Sequence, residues 1–166
     1  MVNAKRAIGA LFVVVIGIVM ARALFPSEER KIRKEFVSLS KWMSKGRGET
    51  AFTTVRKTKR VGTFFAAPCR FDTPIYSFSG TYTPEEISSY AAEVHLHFSE
   101  LSLRFYDLDV DILSDDTARA VLTAKVEGRT STGEYVQETH EVECELRKGE
   151  DRWLFHEVRV VEVLKK

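Results

Sequence analysis

Glu138 and His140 stand two residues apart in the stretch VQETHEVECEL, where apolar and polar residues alternate. A period of two puts both side chains on one face of a β-strand, together with Val136, Val142, Cys144 and Leu146. A carboxylate beside an imidazole is a pairing that acid–base chemistry uses, because the carboxylate orients the ring and the ring exchanges a proton near neutral pH. Simple hairpin registers bring more groups to this pair. They set Tyr106 and Glu138 on either side of Ala124, His140 beside Leu122 and opposite Arg159, and Glu157 opposite Val142. Ala118, Ala120 and Ala124 leave room above the cluster, so a tyrosine, a carboxylate and a histidine could supply hydrogen-bond donation and a general base there. The blander reading is that Glu138, His140, Glu157 and Arg159 balance one another's charge at the open end of a sheet, or pack against a second copy of the chain, and the sequence favours it. The two readings differ in the interior they need. One wants a space lined by Tyr106, Glu138 and His140, the other a space filled by Trp42, Phe64, Phe65 and Trp153.

No metal or cofactor is expected. His95 and His97 sit two apart in a helical stretch and point to different sides, and Asp107, Asp109 and Asp111 align along a strand too flat to wrap oxygen ligands round an ion. The GRG at 46–48 lacks the strand-to-helix setting of a phosphate loop.

Four strands must position the cluster. They are expected at about 102–113, 117–128, 135–147 and 152–164, joined by turns around SDD, STG and GED. Strands of this length, against a usual five or six residues, have to twist and curve. The expected class is therefore α+β, a strongly curved antiparallel sheet with three helices on one face. The first helix, about 27–45, buries Ile32, Phe36, Leu39 and Met43; the second, about 49–66, buries Phe52, Val55 and Phe65. Two short extended pieces follow, and then a third helix with a capping box, Thr83 before Pro84 with Glu86 three residues on.

The 166 residues carry a net charge of only +1, but residues 26–67 hold eleven Lys/Arg against four Asp/Glu, whereas residues 68–166 hold eleven against twenty. The run Arg56, Lys57, Lys59 and Arg60 reads as a solvated helix face and not as a nucleic-acid site, since no aromatic is interleaved for base stacking. The chain divides into a segment at 1–25 and one domain at 27–166. From Ala7 to Phe25 it is nearly all apolar, with Lys5 and Arg6 ahead of it, long enough to cross a bilayer. Ala21-Arg22-Ala23 also fits a cleavage site, so a retained anchor and a signal cut after Ala23 both remain open, the anchor preferred. Pro26 and Ser27 start a new helix with almost no linker, which would bring Arg30, Lys31, Arg33 and Lys34 to anionic headgroups. The expected location is a bacterial inner membrane, crossed once, with the domain on the periplasmic side, the segment contacting lipid and no nucleic acid bound. The two cysteines, Cys69 and Cys144, read equally as a disulfide or as two buried thiols.

In order, two helices, RFDTP, YSFSGTYTPEEISSY with a glycine just ahead of a capped helix, and four long strands closing on DRWLFHEVRVVEVL resemble the nuclear transport factor 2-like, or cystatin-like, superfamily. The resemblance covers about 27–166 and is one of architecture. It implies a cone-shaped helix-over-sheet fold and frequent homodimers, in a superfamily that includes ketosteroid isomerase-like and dehydratase-like enzymes, binding modules and membrane-anchored scaffolds. It also draws in Asp72, because the ketosteroid isomerase-like pattern places its base in an Asp-Pro pair, which Asp72-Thr73-Pro74 departs from by an inserted threonine. The expectation taken forward is a non-catalytic, membrane-anchored domain outside the cytoplasm that binds or positions an envelope partner. The alternative is a small-pocket isomerase- or dehydratase-type enzyme, or a carrier, for an apolar carbonyl compound or lipid fragment.

Overall fold

The computed structural model describes residues 27–73 and 78–163. The anchor, the cleavage site after Ala23 and Pro74 lie outside the described residues, and no described helix is long and apolar enough to cross a membrane.

Helix α1 (Glu28–Met43) begins where Ser27 accepts a hydrogen bond from the Arg30 amide, with Glu28 and Glu29 in its first turn, where the helix dipole favours negative charge. It buries Ile32, Phe36 and Leu39 as the spacing predicts, whereas Met43 at its end is only partly buried. Past its end Lys45 and Leu101 exchange two backbone hydrogen bonds, of 2.7 and 2.9 Å, which pin the loop to the sheet.

Helix α2 (Ala51–Gly62) is capped by Thr50 and differs from expectation in the face it buries. Thr58, Val61 and Gly62 point inward, whereas Phe52 is 76% exposed and Val55 52%. The cause is a close approach at its C-terminus. A Cβ on Gly62 would lie 2.2 Å from both the Pro84 carbonyl oxygen and Ser88 Oγ, so only a residue without a side chain lets α2 press on the next helix in this rotation. The helix also stops earlier than expected, and Phe65 opens a strand instead of closing a helix.

Strand β1 (Phe65–Asp72) and strand β2 (Gly80–Tyr82) form a short antiparallel pair. Helix α3 (Pro84–His97) then starts on the expected capping box, with Glu86 accepting from the Thr83 amide and Thr83 from the Glu86 amide. Four long strands complete the chain: β3 (Phe98–Ile112), β4 (Thr117–Thr130), β5 (Tyr135–Lys148) and β6 (Trp153–Val163). All six share one sheet in the order β2-β1-β6-β5-β4-β3, antiparallel except for the parallel β1–β6 pair. The two short extended pieces thus lengthen the four-stranded meander beyond its last strand.

The sheet curls round an apolar interior. Phe36 meets Phe105 and Phe155 edge-on, with ring centroids 5.4 and 4.8 Å apart, and Phe65 lies against Phe155 and Phe71. Trp153, Phe64, Phe155 and Leu146 are fully enclosed, so one end of the curl is filled with aromatic and aliphatic side chains, while Trp42 packs only partly against it. Ala118, Ala120 and Leu122 of β4, with Val142 and Cys144 of β5, continue this inward face as the alternation predicts.

The two cysteines are free and buried. Cys69 on β1 and Cys144 on β5 both face the core, but β6 runs between their strands. Two strand spacings amount to about 9–10 Å, beyond the ~4.4–6.8 Å between Cα atoms that a disulfide spans, and the structure has no bridge here.

Candidate acid–base site on the inward face of the sheet

His140 lies on the inward row of β5, directly opposite Ala124 of β4, and Glu138 lies opposite Val126. Phe105 of β3 flanks Ala124 on the other side, so a line across the sheet reads Phe105, Ala124, His140. The methyl group of Ala124 is the smallest neighbour a ring could have there. His140 is 6% exposed, and its Nε2 sits 3.0 Å from Glu138 Oε2, with Glu138 reaching toward solvent. In the neutral ring a carboxylate at Nε2 selects the tautomer with the proton on that nitrogen, which leaves the lone pair on Nδ1. A ring oriented in this way can act as a general base toward a substrate that reaches Nδ1, an atom that is itself buried. The plug of Phe64, Phe65, Trp153 and Phe155 lies at the far end of β5, near Leu146, three inward positions from His140.

Of the other residues expected at the site, none joins this pair. Tyr106 stands opposite Thr123, not beside Ala124, and is 42% exposed. The reason is a bulge. From the β3–β4 turn the register runs Ile112 to Ala118 and Val110 to Ala120, which extended without interruption would bring Tyr106 to Ala124. Between Tyr106 and Asp109 the register shifts by one, with Asp107 at φ 51°, and from there Phe105 takes the inward position.

A second bulge moves Glu157 and Arg159. Leu146 pairs with Phe155, but Glu145 pairs with Glu157, so His156 is the extra residue in β6. Beyond it Val158 and Val160 face Cys144 and Val142, while Glu157 and Arg159 pair with Glu145 and Glu143 on the outward face. Asp72 joins them there. Arg159 contacts Asp72 Oδ2 at 3.4 Å and Glu157 Oε1 at 2.8 Å, a surface ion cluster on the far side of the sheet from His140. The charge-balanced network of Glu138, His140, Glu157 and Arg159 is therefore divided between two faces. The β4–β5 hairpin departs from the simple register by two residues, which pairs His140 with Ala124 instead of Leu122 but keeps both on the inward face.

His95, read from the sequence as an ordinary surface or core histidine, is wholly buried, with Nε2 2.8 Å from the Met43 carbonyl oxygen. Burial, above all, pushes its pKa down, and the cations Lys45 and Lys57 push the same way. Lys45 Nζ donates to the carbonyls of His95 and Phe98 at the end of α3. These contacts lock α1 to α3 and make His95 a structural residue. Among the described residues no cluster of three His, Cys, Asp or Glu side chains is arranged for a metal ion.

No family model and no curated protein matches the chain. Solved structures do. A Novosphingobium aromaticivorans protein assigned as a scytalone dehydratase aligns over 83% of this chain and 85% of its own, with TM-score 0.65 and 13% identity. A second protein of that organism, assigned as an aromatic ring hydroxylase, aligns over 86% and 93%, with TM-score 0.68 and 18% identity. The hexachlorocyclohexane dehydrochlorinase LinA-type3 of Novosphingobium barchaimii aligns over 82% and 88%, with TM-score 0.62 and 11% identity. The chain thus has the nuclear transport factor 2-like fold. The expectation of a non-catalytic domain that positions an envelope partner is corrected by these neighbours, which are named as a dehydratase, a ring hydroxylase and a dehydrochlorinase.

Proposed function

We propose that the domain is a small-pocket enzyme of the isomerase or dehydratase type, acting on an apolar carbonyl compound or lipid fragment, with His140 as the general base and Glu138 as the group that orients it. The observation that carries the reading is the buried His140 ring, 3.0 Å from the Glu138 carboxylate, on the inward face beside Ala124. The reaction such a pair supports is removal of a proton from carbon next to a carbonyl or a leaving group. The C–H electron pair moves into a new double bond, and either the carbonyl oxygen takes up the charge or the leaving group departs with its own pair. The neighbours of His140 on the inward face, Phe105, Ala124 and Val142, are apolar and suit a substrate with little charge of its own.

The test needs no knowledge of the natural substrate. A panel of cyclic and aryl ketones in deuterated water, followed by proton NMR, reads α-carbon exchange directly. The expected result is exchange faster than buffer for at least one ketone, falling by roughly 100-fold or more in His140→Ala and less in Glu138→Gln. Exchange that is equally fast in wild type and His140→Ala, or absent throughout the panel, overturns the assignment.

Residues 7–25 support a further part of the proposal, that the domain is tethered by one membrane-spanning segment and lies outside the cytoplasm. Retention in the membrane fraction through a carbonate wash supports the tether, and recovery of a soluble chain beginning at Leu24 overturns it.

A further inference from the structure

The rotation of α2 exposes a face that its sequence would bury. Phe52 is 76% exposed, Val55 52%, and Arg56, Lys59 and Arg60 point out beside them at helical spacing. None of these three cations has a carboxylate within ion-pair distance among the described residues, whereas the neighbouring Lys57 is engaged by Glu49. Val55, Thr58 and Gly62 form one wall of a groove whose other wall is Ser88 and Ala92 of α3. Leu96, one turn beyond Ala92, is 76% exposed and extends the apolar strip along α3. At the other end Arg60 lines a second groove with Lys31 and Lys34 of α1, so the basic surface continues to the helix that follows directly on residues 1–26. Of the α1 cations expected at a membrane, Lys31 and Arg33 are paired with Glu28 and Glu29, and Arg33 also donates to the Leu108 carbonyl. Arg30 and Lys34, exposed and without an ion pair among the described residues, carry the unpaired charge of α2 on to α1.

We propose that the α2–α3 face docks on an anionic lipid bilayer, with Phe52, Val55 and Leu96 entering the headgroup layer and Arg56, Lys59 and Arg60 against lipid phosphates. Scattered single apolar side chains on a surface need no explanation, but three large ones on two adjacent helices, bordered by unpaired cations, are the pattern of a helix that lies in a membrane interface. Charge complementarity selects the occupant. The helical first part of the domain is basic, with eleven Lys/Arg against four Asp/Glu over residues 26–67, while residues 68–166 hold eleven against twenty, so a negative surface attracts the former in preference to the latter. Glu85 lines the first groove, and Glu35 and Asp151 line the second.

The full chain is tested with an environment-sensitive fluorophore on Phe52→Cys and, separately, on Tyr135→Cys, since the two native thiols are buried. On phosphatidylcholine vesicles containing phosphatidylglycerol the label at 52 should shift to the blue and be quenched by spin-labelled lipid, and the label at 135 should not. Pure phosphatidylcholine vesicles or molar salt should abolish the response. Each cation at an anionic surface is worth about a fivefold change in partitioning, so Arg56→Gln, Lys59→Gln and Arg60→Gln together should lower the docked fraction by roughly tenfold or more. A chain that sediments with the anionic vesicles while the label at 52 stays unchanged overturns the proposal. So does a blue shift that needs only a higher protein concentration, which would mean that a second copy covers the face, or one that needs an oligonucleotide.

Discussion

Trp153 Nε1 donates a 2.7 Å hydrogen bond to Glu28 Oε2, tying the first turn of α1 to the first residue of β6. The same carboxylate is 2.9 Å from Lys31 and 3.3 Å from Lys148, and Trp153 is fully enclosed. One acid thus joins the two ends of the domain and gives a buried indole its partner.

These contacts, the Lys31 hydrogen bond foremost, hold the Glu28 carboxyl down to about 2. A carboxyl lowered in the folded state stabilises it above the ordinary value of 4.5, and that stability is lost as pH falls toward about 2. Glu28→Gln should cost about 1 kcal/mol near neutral pH, because the site is partly open to solvent, and should flatten the acid limb of a stability-against-pH curve. Urea midpoints across that range measure both effects.

Gly62→Ala should destabilise the domain by about 1–3 kcal/mol, since the added methyl meets the Pro84 backbone carbonyl and Ser88 Oγ at 2.2 Å. Gly46→Ala is the control. Its methyl would come no closer than 3.5 Å to Glu49 and should change the urea midpoint by less than about 0.5 kcal/mol.

Burial lowers the pKa of His95 in the folded state, with Lys45 and Lys57 adding to that effect against the Met43 carbonyl and Glu49. The unfolded chain therefore takes up a proton that the folded chain refuses. Stability should be full above the ordinary value of 6.5 and decline as pH falls below it. His95→Gln should remove this slope while lowering stability overall, as thermal melts at a series of pH values would report.

Cys69 and Cys144 should both stay unreactive in the native protein. Burial raises the Cys69 thiol to about 12 and the Cys144 thiol higher still, so neither supplies thiolate near neutral pH. A thiol reagent at mildly alkaline pH should count no cysteine before urea is added and both after it. Rapid native labelling of either one would contradict the buried placement.

Much of the fold was legible because its signals are local. The capping box of Thr83 and Glu86, the cap of Ser27, the turns before Thr117, Tyr135 and Trp153, and the alternation along β4 each involve residues within a few positions of one another. The long-range facts had no such signal. That β1 joins the sheet beside β6, with Arg70 opposite Glu157, depends on two segments far apart in the chain finding one edge.

The candidate site divides along the same line. Glu138 and His140 were found because they lie on one unbroken strand, where alternation alone sets their face. Tyr106, Glu157 and Arg159 were misplaced because one extra residue, at Asp107 in β3 and at His156 in β6, turns every later side chain to the opposite face. Phe52 and Val55 were misread for a related reason, since Gly62 against Pro84 sets the rotation of α2 and the helix's own apolar pattern does not. By itself the sequence determined most of the helices and strands, though not where α2 gives way to β1, and that an acid and a histidine share a face. Only the tertiary structure decided which other residues could join them, because a bulge or a helix rotation costs little locally and reverses a face globally.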